Sequence, residues 1–232
     1  MTRFPYDIVG FDLDGTLLDT HGDLANAVNH TLSLEGRSPL PKAVVRSLVG
    51  GGARAMLERA MEVSGGAVDA ARFEELLDAL MVFYAANISD DTQLFPGGEA
   101  MLDALLARGV KIGVVTNKRE DLARRLFDEL GLSDRFFTVI GGDTLGPGKA
   151  KPQPDLINLM IERAGGGNAA YVGDTSYDTG AARAAGLPCV VVSFGFNDAA
   201  ADALGGDAVI DHFDELVPVL ERIGAASLAC GS

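Results

Sequence analysis

Short apolar runs alternate with amphipathic segments through the second half of the chain, and this alternation limits the folds that it can adopt. The apolar runs cover residues 110–115, 137–140, 170–173, 189–193 and 208–210. Between them, side chains such as Leu122, Leu126 and Leu130 recur at helical spacing. Strands that alternate with helices are typical of a parallel sheet built from β–α–β units with right-handed crossovers. The sequence therefore predicts an α/β fold around a parallel sheet.

A helical stretch interrupts this alternation near the N-terminus. Helical spacing covers residues 24–34, 42–48, 53–63 and 70–86, without a convincing strand between them. We predict a helical cap domain inserted into a core domain, with hinges at residues 18–22 and 88–98. The predicted ranges are 21–87 for the cap and 1–20 with 88–232 for the core. The alternative is that these helices cover one face of the sheet, but the block is long for a single crossover.

Two carboxylates, Asp12 and Asp14, follow the first apolar run, residues 8–11. Alternate side chains of an extended chain share a face, and Gly15 then lets the backbone turn. Two like charges this close repel each other, so a site that keeps both ionised normally supplies a cation. A solvated strand end that carries two acids by chance is the alternative, and this short pattern alone does not decide between them.

Polar side chains also follow two later apolar runs. Thr116 and Asn117 follow one run, and Asp174 follows another. In a parallel sheet the carboxyl ends of the strands gather functional groups at one edge. We therefore expect these residues to converge on Asp12, with Lys151 adding a cation from the loop before the helix predicted at residues 155–163.

Taken in order, these pieces resemble the four motifs of the haloacid dehalogenase superfamily of phosphotransferases. The motifs are Asp12-Leu13-Asp14-Gly15-Thr16, Thr116, Lys151, and Gly173-Asp174 with Asp178. The resemblance covers nearly the whole chain and implies a Rossmann-like core with an inserted helical cap of the C1 type. Within the superfamily, several stretches are similar to bacterial phosphoglycolate phosphatases. These stretches are residues 48–53, 57–60, 114–118, 139–143 and 151–155.

The resemblance implies a mechanism in which Asp12 attacks phosphorus and forms an acyl-phosphate. Asp14 would protonate the leaving alkoxide and later accept a proton from the attacking water. Mg²⁺ would be bound by the side chains of Asp12 and Asp174 and by the backbone carbonyl of Asp14. Asp178 would bind the metal through water or orient Asp174 or Lys151; a solvated acid at a helix start is the alternative.

The same resemblance assigns the phosphate-binding groups. Lys151 would place a positive charge against the phosphoryl oxygens, and the Thr116 hydroxyl and the Asn117 backbone N–H would donate hydrogen bonds to them. An exposed loop lysine and a simple turn threonine are the structural alternatives. Some further residues belong to loops that should face the pocket but suit a solvated surface equally well: Lys118, Lys149 and Asp143.

The predicted cap offers a few candidate substrate contacts. The backbone of residues 50–52 can present N–H groups to an anion at the start of the next helix, so Gly52 is a candidate binding residue. Arg54 is a candidate partner for a substrate carboxylate. A flexible linker is the alternative for the glycines. His21 lies just past the first hinge and fits a plain linker histidine better than a substrate contact.

The function that follows is an Mg²⁺-dependent phosphomonoester hydrolase acting on a small anionic metabolite, with 2-phosphoglycolate as the leading substrate. The second acid, Asp14, disfavours a dehalogenase, which needs no alkoxide protonation. Phosphosugar mutases of the β-phosphoglucomutase type and sugar-phosphate phosphatases remain alternatives. Receiver-type signalling modules use similar residues but have about half this length and no helical insert.

Composition and charge exclude several other classes. With 33 acidic and 19 basic residues, the net charge of −14 disfavours binding to nucleic acids or anionic membranes. No apolar run approaches the roughly 20 residues that span a bilayer, and residues 1–7 lack the apolar core of a secretory signal, so we expect a cytoplasmic protein. Cys189 and Cys230 give no disulfide or zinc pattern. The sequence leaves monomer and homodimer open.

Overall fold

Six parallel strands form the central sheet of the computed structural model, which describes residues 3–230 and side chains as far as Ala226. The strands are β1 (Ile8–Phe11), β4 (Lys111–Val115), β5 (Thr138–Ile140), β6 (Ala169–Gly173), β7 (Cys189–Val192) and β8 (Ala208–Ile210). Their order across the sheet is β5-β4-β1-β6-β7-β8. The predicted α/β fold is confirmed. The side chain of Cys230 lies outside the described part of the chain.

Helices cover both faces of the sheet, because strands rich in Val, Ile and Gly offer apolar surface on either side. These helices are α5 (Gly98–Leu106), α6 (Glu120–Glu129), α7 (Asp155–Ala164), α8 (Ser176–Ala184) and α9 (Leu216–Cys230). Helix α7 lies close to the sheet: an added Cβ at Gly10 or Gly113 would lie 2.7 Å from a side-chain atom of Met160. Glycine in the neighbouring strands β1 and β4 therefore lets α7 pack against the backbone of the sheet.

The helical stretch between β1 and β4 contains four helices. They are α1 (His21–Ser33), α2 (Lys42–Arg46), α3 (Ala53–Gly65) and α4 (Ala70–Ala86). The range predicted for α4 matches the structure, and Asp69 caps its first turn by accepting a hydrogen bond from the backbone N–H of Arg72. The other helices differ from the predicted ranges by a few residues at one or both ends, where fraying and capping decide the boundary.

A short antiparallel ribbon, which was not predicted from the sequence, lies at the two predicted hinges. Strands β2 (Leu18–Asp19) and β3 (Gln93–Leu94) pair antiparallel, with Leu18 opposite Leu94. This ribbon brings the two chain segments that enter and leave the helical stretch side by side. One cluster of buried apolar side chains runs from the sheet, through Phe11 and Val114, into the helical stretch at Leu57 and Leu76.

Register fixes which strand ends meet. Phe11, the last residue of β1, lies between Val114 of β4 and Val172 of β6. The residues that follow these three strands therefore emerge at neighbouring points on one edge of the sheet. Among the described residues, no helix is both long enough and apolar enough to cross a membrane.

Candidate active site

The carboxyl ends of β1, β4 and β6 bring the sequence-predicted residues together. Asp12 follows β1, and its backbone N–H donates to the carbonyl of Val172 at 2.9 Å. Thr116 follows β4 and Asp174 follows β6, and both are buried. Residues more than a hundred positions apart in the chain thus share one edge of the sheet.

Asn117 positions the loop that carries Lys151. Its Nδ2 donates to the carbonyl oxygen of Lys151 at 3.0 Å, and its Oδ1 accepts from the backbone N–H of Lys151 at 2.9 Å. Because both bonds go to one peptide segment, they fix the point from which the lysine side chain starts. A backbone contact of Asn117 with phosphate was predicted from the sequence and stays a prediction. The hydrogen bonds of the Asn117 side chain to the Lys151 backbone were not predicted.

Lys151 is the central cation of the site. Its Nζ lies 2.8 Å from Asp12 Oδ1 and 2.6 Å from Asp178 Oδ1, and it donates to the Tyr171 hydroxyl at 3.1 Å. Burial would lower the pKa of Lys151, but the charges of Asp12 and Asp178 raise it well above its usual range. The ammonium group therefore stays charged although its side chain is only 2% exposed.

Asp178 has two structural roles, one for each carboxylate oxygen. Oδ1 accepts from Lys151, and Oδ2 accepts from the backbone N–H groups of Asp174 and Thr175 and from the Thr175 hydroxyl. The second set closes the first turn of α8 as a capping box. Asp178 is fully buried, so the alternative of a solvated acid at a helix start is wrong.

Asp174 is held by neutral donors. The Thr16 hydroxyl donates to one carboxylate oxygen at 2.9 Å, and the backbone N–H of Phe196 donates to the other at 2.7 Å. Burial raises the pKa of Asp174 well above its usual range, and the charges of Asp178 and Asp12 add to the shift. The ionised form of Asp174 is therefore unfavourable without a further cation nearby.

The acids of this cluster fit a metal ion. One carboxylate oxygen from each of Asp12, Asp174 and Asp178 lies within 4.8 Å of the other two, and all three residues are buried. Burial raises the pKa of Asp12 to about 6, with the Lys151 charge opposing the shift and the Asp178 charge adding to it. Three buried carboxylates against one ammonium leave an excess of negative charge, and hard oxygen donors suit a divalent cation.

Asp14 is bound by groups that the sequence did not single out. Its Oδ1 accepts from the Thr20 hydroxyl at 2.7 Å, and its two oxygens accept from Lys118 Nζ at 2.7 and 2.9 Å. The Lys118 side chain is only 6% exposed, and its Nζ lies 4.8 Å from the centre of the Tyr84 ring. Lys118, which the sequence left between pocket and surface, therefore belongs to the site.

The two other residues of uncertain position lie elsewhere. Lys149 pairs with Asp155, and the Asp143 carboxylate accepts a hydrogen bond from the backbone N–H of Glu120 at the start of α6. Both contacts are on exposed parts of the chain. Thr116 is buried, and its hydroxyl oxygen accepts from the backbone N–H of Lys118 at 3.1 Å, so the loop after β4 turns back on itself.

A cavity of about 350 Å³ extends from these acids towards the helical stretch. The polar end contains Asp12, Asp14, Thr116, Lys118 and Lys151. The opposite wall is mainly apolar, with Asp78 of α4 as a charged member; its apolar and aromatic residues include Leu24, Val49, Met56, Leu77, Leu80, Met81 and Tyr84, with Leu122 of α6. The cavity therefore joins a charged end at the sheet to an apolar end at the helices.

The glycine loop also borders the cavity. Gly50, Gly51 and Gly52 all have positive φ angles, and Gly52 immediately precedes α3. A Cβ at Gly51 would lie 3.0 Å from the Tyr177 hydroxyl, so conformation and space both favour glycine there. The predicted loop thus lies beside the acids, as a donor site for an anion requires.

Two further residues that the sequence offered as possible substrate contacts have partners within the chain. Both terminal nitrogens of Arg54 donate to the Glu74 carboxylate, at 2.8 and 2.7 Å, and the Arg54 side chain is 53% exposed. His21 Nδ1 lies 2.6 Å from Asp19 Oδ1 at the start of α1. Arg54 borders the cavity, but its guanidinium group is directed at Glu74, not at the acids.

The chain belongs to the haloacid dehalogenase-like hydrolase family, whose model matches residues 9–192. The matched stretch includes Asp12, Asp14, Thr116, Lys151 and Asp174. The predicted superfamily and enzyme class are therefore confirmed.

The more particular likeness is to phosphoglycolate phosphatases. The phosphoglycolate phosphatase of Caulobacter vibrioides is 41% identical over 207 residues, which are 88% of this chain and 86% of that protein. The one of Rhodospirillum rubrum is 39% identical over 212 residues, 89% of this chain and 87% of that protein. A crystal structure described as a predicted phosphoglycolate phosphatase from Haemophilus somnus has a TM-score of 0.87 at 26% identity and covers 94% of this chain and 99% of its own. The predicted resemblance is confirmed.

Proposed function

We propose that this chain is an Mg²⁺-dependent phosphatase that hydrolyses 2-phosphoglycolate to glycolate and phosphate. The observation that carries the proposal is the buried set of Asp12, Lys151, Asp174 and Asp178 at the end of a cavity that also contains Asp14. The names of the similar proteins supply the substrate.

In the first half of the reaction, a carboxylate oxygen of Asp12 attacks phosphorus and the bond from phosphorus to the ester oxygen breaks. The departing alkoxide takes a proton from Asp14. The charge of Lys151 next to Asp12 stabilises the negative charge on the phosphoryl oxygens, and the Thr116 hydroxyl donates to one of them. The products of this half are glycolate and an aspartyl-phosphate on Asp12.

In the second half, water attacks the aspartyl-phosphate while Asp14 accepts the proton of the water. Phosphate leaves, and both carboxyl groups return to their starting states. Asp12 and Asp174 with the Asp14 carbonyl would hold Mg²⁺, which supplies positive charge to the phosphoryl oxygens when bound. Asp178 holds Lys151 in place throughout.

We further propose that residues 21–87 act as a cap on a core made of residues 1–20 and 88–232. The ribbon of β2 and β3 lies where this proposal needs a hinge. Helices of the cap border the cavity opposite the acids, so the cap would enclose the leaving group and exclude water. A cytoplasmic location, the absence of nucleic-acid and membrane partners, and a monomeric or homodimeric state stay predictions.

A phosphate-release screen tests the proposal. Purified protein with Mg²⁺ is offered 2-phosphoglycolate, sugar phosphates, nucleotides and pyrophosphate, and kcat/KM is measured for each. We expect the highest value for 2-phosphoglycolate, without any sugar bisphosphate activator. A flat profile would contradict the substrate, and product formation that depends on a sugar bisphosphate would favour a mutase.

A further inference from the structure

The hydroxyl of Tyr84 is a buried polar group in the mainly apolar wall of the cavity. Tyr84 belongs to α4, is only 3% exposed and borders the cavity. Its Oη is buried and has no hydrogen-bond partner among the described residues. A buried hydroxyl without a partner costs free energy, and a substrate atom that accepts a hydrogen bond from it would remove this cost.

Lys118 supplies the charge beside this hydroxyl. Its Nζ lies over the Tyr84 ring, 4.8 Å from the ring centre. Burial raises the pKa of Tyr84 to about 12, with the Lys118 charge opposing the shift. The phenol therefore keeps its proton at neutral pH and remains a hydrogen-bond donor. An ammonium group and a neutral donor side by side suit a carboxylate.

Other cations at the cavity are less available. Arg54 is directed at Glu74, and Arg119 pairs with Asp121, with more than half of each arginine side chain exposed. Lys151 is shared between Asp12 and Asp178. Of the lysines and arginines that border the cavity within the described residues, Lys118 is the one next to an unpartnered donor.

The length of the proposed substrate matches this position. In 2-phosphoglycolate a single CH₂ group separates the ester oxygen from the carboxylate. The ester oxygen must lie within hydrogen-bond distance of Asp14 to receive its proton. The carboxylate must then lie within a few bond lengths of Asp14, which is where Lys118 Nζ lies, 2.7 Å from Asp14 Oδ1.

We infer that Tyr84 and Lys118 form the subsite that binds the carboxylate of the substrate, with the Tyr84 hydroxyl as the specificity-determining donor. The inference rests on the proposed function, because it assigns a partner to the carboxylate of 2-phosphoglycolate. Lys118 would then contact both Asp14 and the substrate carboxylate. Binding of the carboxylate and the position of Asp14 would therefore depend on the same lysine side chain.

The test compares Tyr84→Phe with wild type on two esters of similar size, 2-phosphoglycolate and ethyl phosphate, which has a methyl group in place of the carboxylate. The kcat/KM for 2-phosphoglycolate should fall roughly 10- to 100-fold, mostly through KM, as expected for a lost hydrogen bond to a charged group. The value for ethyl phosphate should change less than about twofold.

Tyr6→Phe is the matched control. The Tyr6 hydroxyl is also buried without a partner among the described residues, but Tyr6 does not border the cavity. This variant should leave kcat/KM for both esters unchanged. Melting temperatures of both variants should remain within a few degrees of wild type, because neither hydroxyl has a partner to lose.

The possible results separate the two proposals. A wild-type enzyme that does not prefer 2-phosphoglycolate over ethyl phosphate would contradict both the substrate and the subsite. A wild-type preference that Tyr84→Phe retains would contradict the subsite alone. An equal loss on both esters, or a marked fall in melting temperature, would mean that Tyr84 acts on the fold, and would also overturn the inference.

Discussion

The two ends of the cavity differ in how fully their polar groups are matched. At the sheet edge, Lys151 contacts Asp12 and Asp178, and Lys118 contacts Asp14. On the helical side the wall is largely Leu and Met, and the Tyr84 hydroxyl has no partner among the described residues. A preorganised charged end suits a reaction shared by many phosphate esters, while an apolar wall with one free donor suits a choice among them. We therefore expect the rate of the reaction to depend on the sheet edge and the choice of substrate to depend on the helical side.

Replacing the proposed nucleophile should give the largest effect on activity. Asp12→Asn should reduce kcat for 2-phosphoglycolate by about 10⁴-fold or more, because an amide does not form the acyl-phosphate. Phosphate release by the purified variant measures this. The control is Asp90→Asn, which changes an exposed acid on the approach to β3 and should retain wild-type activity. Near-normal turnover by Asp12→Asn would contradict phosphoryl transfer through Asp12 at the sheet edge.

Replacing the proton-transferring acid should separate the two halves of the reaction. Asp14→Asn should lower kcat for 2-phosphoglycolate on the order of 10³-fold, because its alkoxide needs a proton. With p-nitrophenyl phosphate, whose phenolate leaves unaided, we expect a rapid burst of about one equivalent of nitrophenolate and then a slow phase. Rapid-mixing absorbance measures the burst. Steady turnover of both esters at wild-type rates would contradict the role of Asp14.

Removing the buried negative charge of Asp174 should reduce activity and increase the stability of the metal-free protein. In metal-free protein at neutral pH, Asp174→Asn should raise Tm by about 2–4 °C for each 1 kcal/mol of unfavourable charge that it removes. Burial raises the pKa of Asp174, so its ionised form destabilises the fold above the ordinary aspartate pKa of about 3.9. The gain should therefore shrink as the pH falls towards that value.

Mg²⁺ provides the control for this experiment. The ion should raise the Tm of wild type but raise that of Asp174→Asn far less, and a chelator should abolish wild-type activity. Calorimetry with and without the metal measures the difference. An Asp174→Asn variant that is less stable than metal-free wild type would show that the carboxylate is adequately compensated by Thr16 and Phe196.

The smallest effect is expected on the outer side of the helical wall. Arg54→Ala should change kcat/KM for 2-phosphoglycolate less than about twofold and leave the free energy of unfolding nearly unchanged, because an exposed ion pair contributes little. Steady-state kinetics and urea unfolding measure these values, with Glu74→Ala as the matched control. A tenfold rise in KM for Arg54→Ala alone would mean that Arg54 leaves Glu74 and contacts substrate.

The sheet and its edge could be predicted because both depend on local signals. Apolar runs indicate the strands. Asp12, Thr116 and Asp174 each follow the end of such a run, so their position at the sheet edge can be predicted from local sequence alone. The ribbon of β2 and β3 could not be predicted, since strands of two residues have no periodicity to detect. Its pairing depends on contacts between segments distant in sequence.

The helical wall was harder to predict, because helical spacing shows which face is buried but not what that face meets. Lys118 is buried only because Asp14, 104 residues away, and the ring of Tyr84 lie beside it. Tyr84 itself follows Leu76 and Leu80 at helical spacing and looks like one more core residue. The pairing of Arg54 with Glu74 of α4 likewise depends on a contact between two helices that the sequence does not specify. The glycine loop borders the cavity and stays a predicted anion site; it could be located from the sequence because it directly precedes α3.

In the proposed mechanism, phosphoryl transfer takes place at the sheet edge through Asp12. The most direct measurement is mass spectrometry of Asp14→Asn after acid quench during its burst with p-nitrophenyl phosphate. We expect a phosphoryl group on the peptide that contains Asp12, in an amount equal to the burst. A full burst with no phosphorylated enzyme, or with the phosphoryl group on a residue other than Asp12, would contradict it.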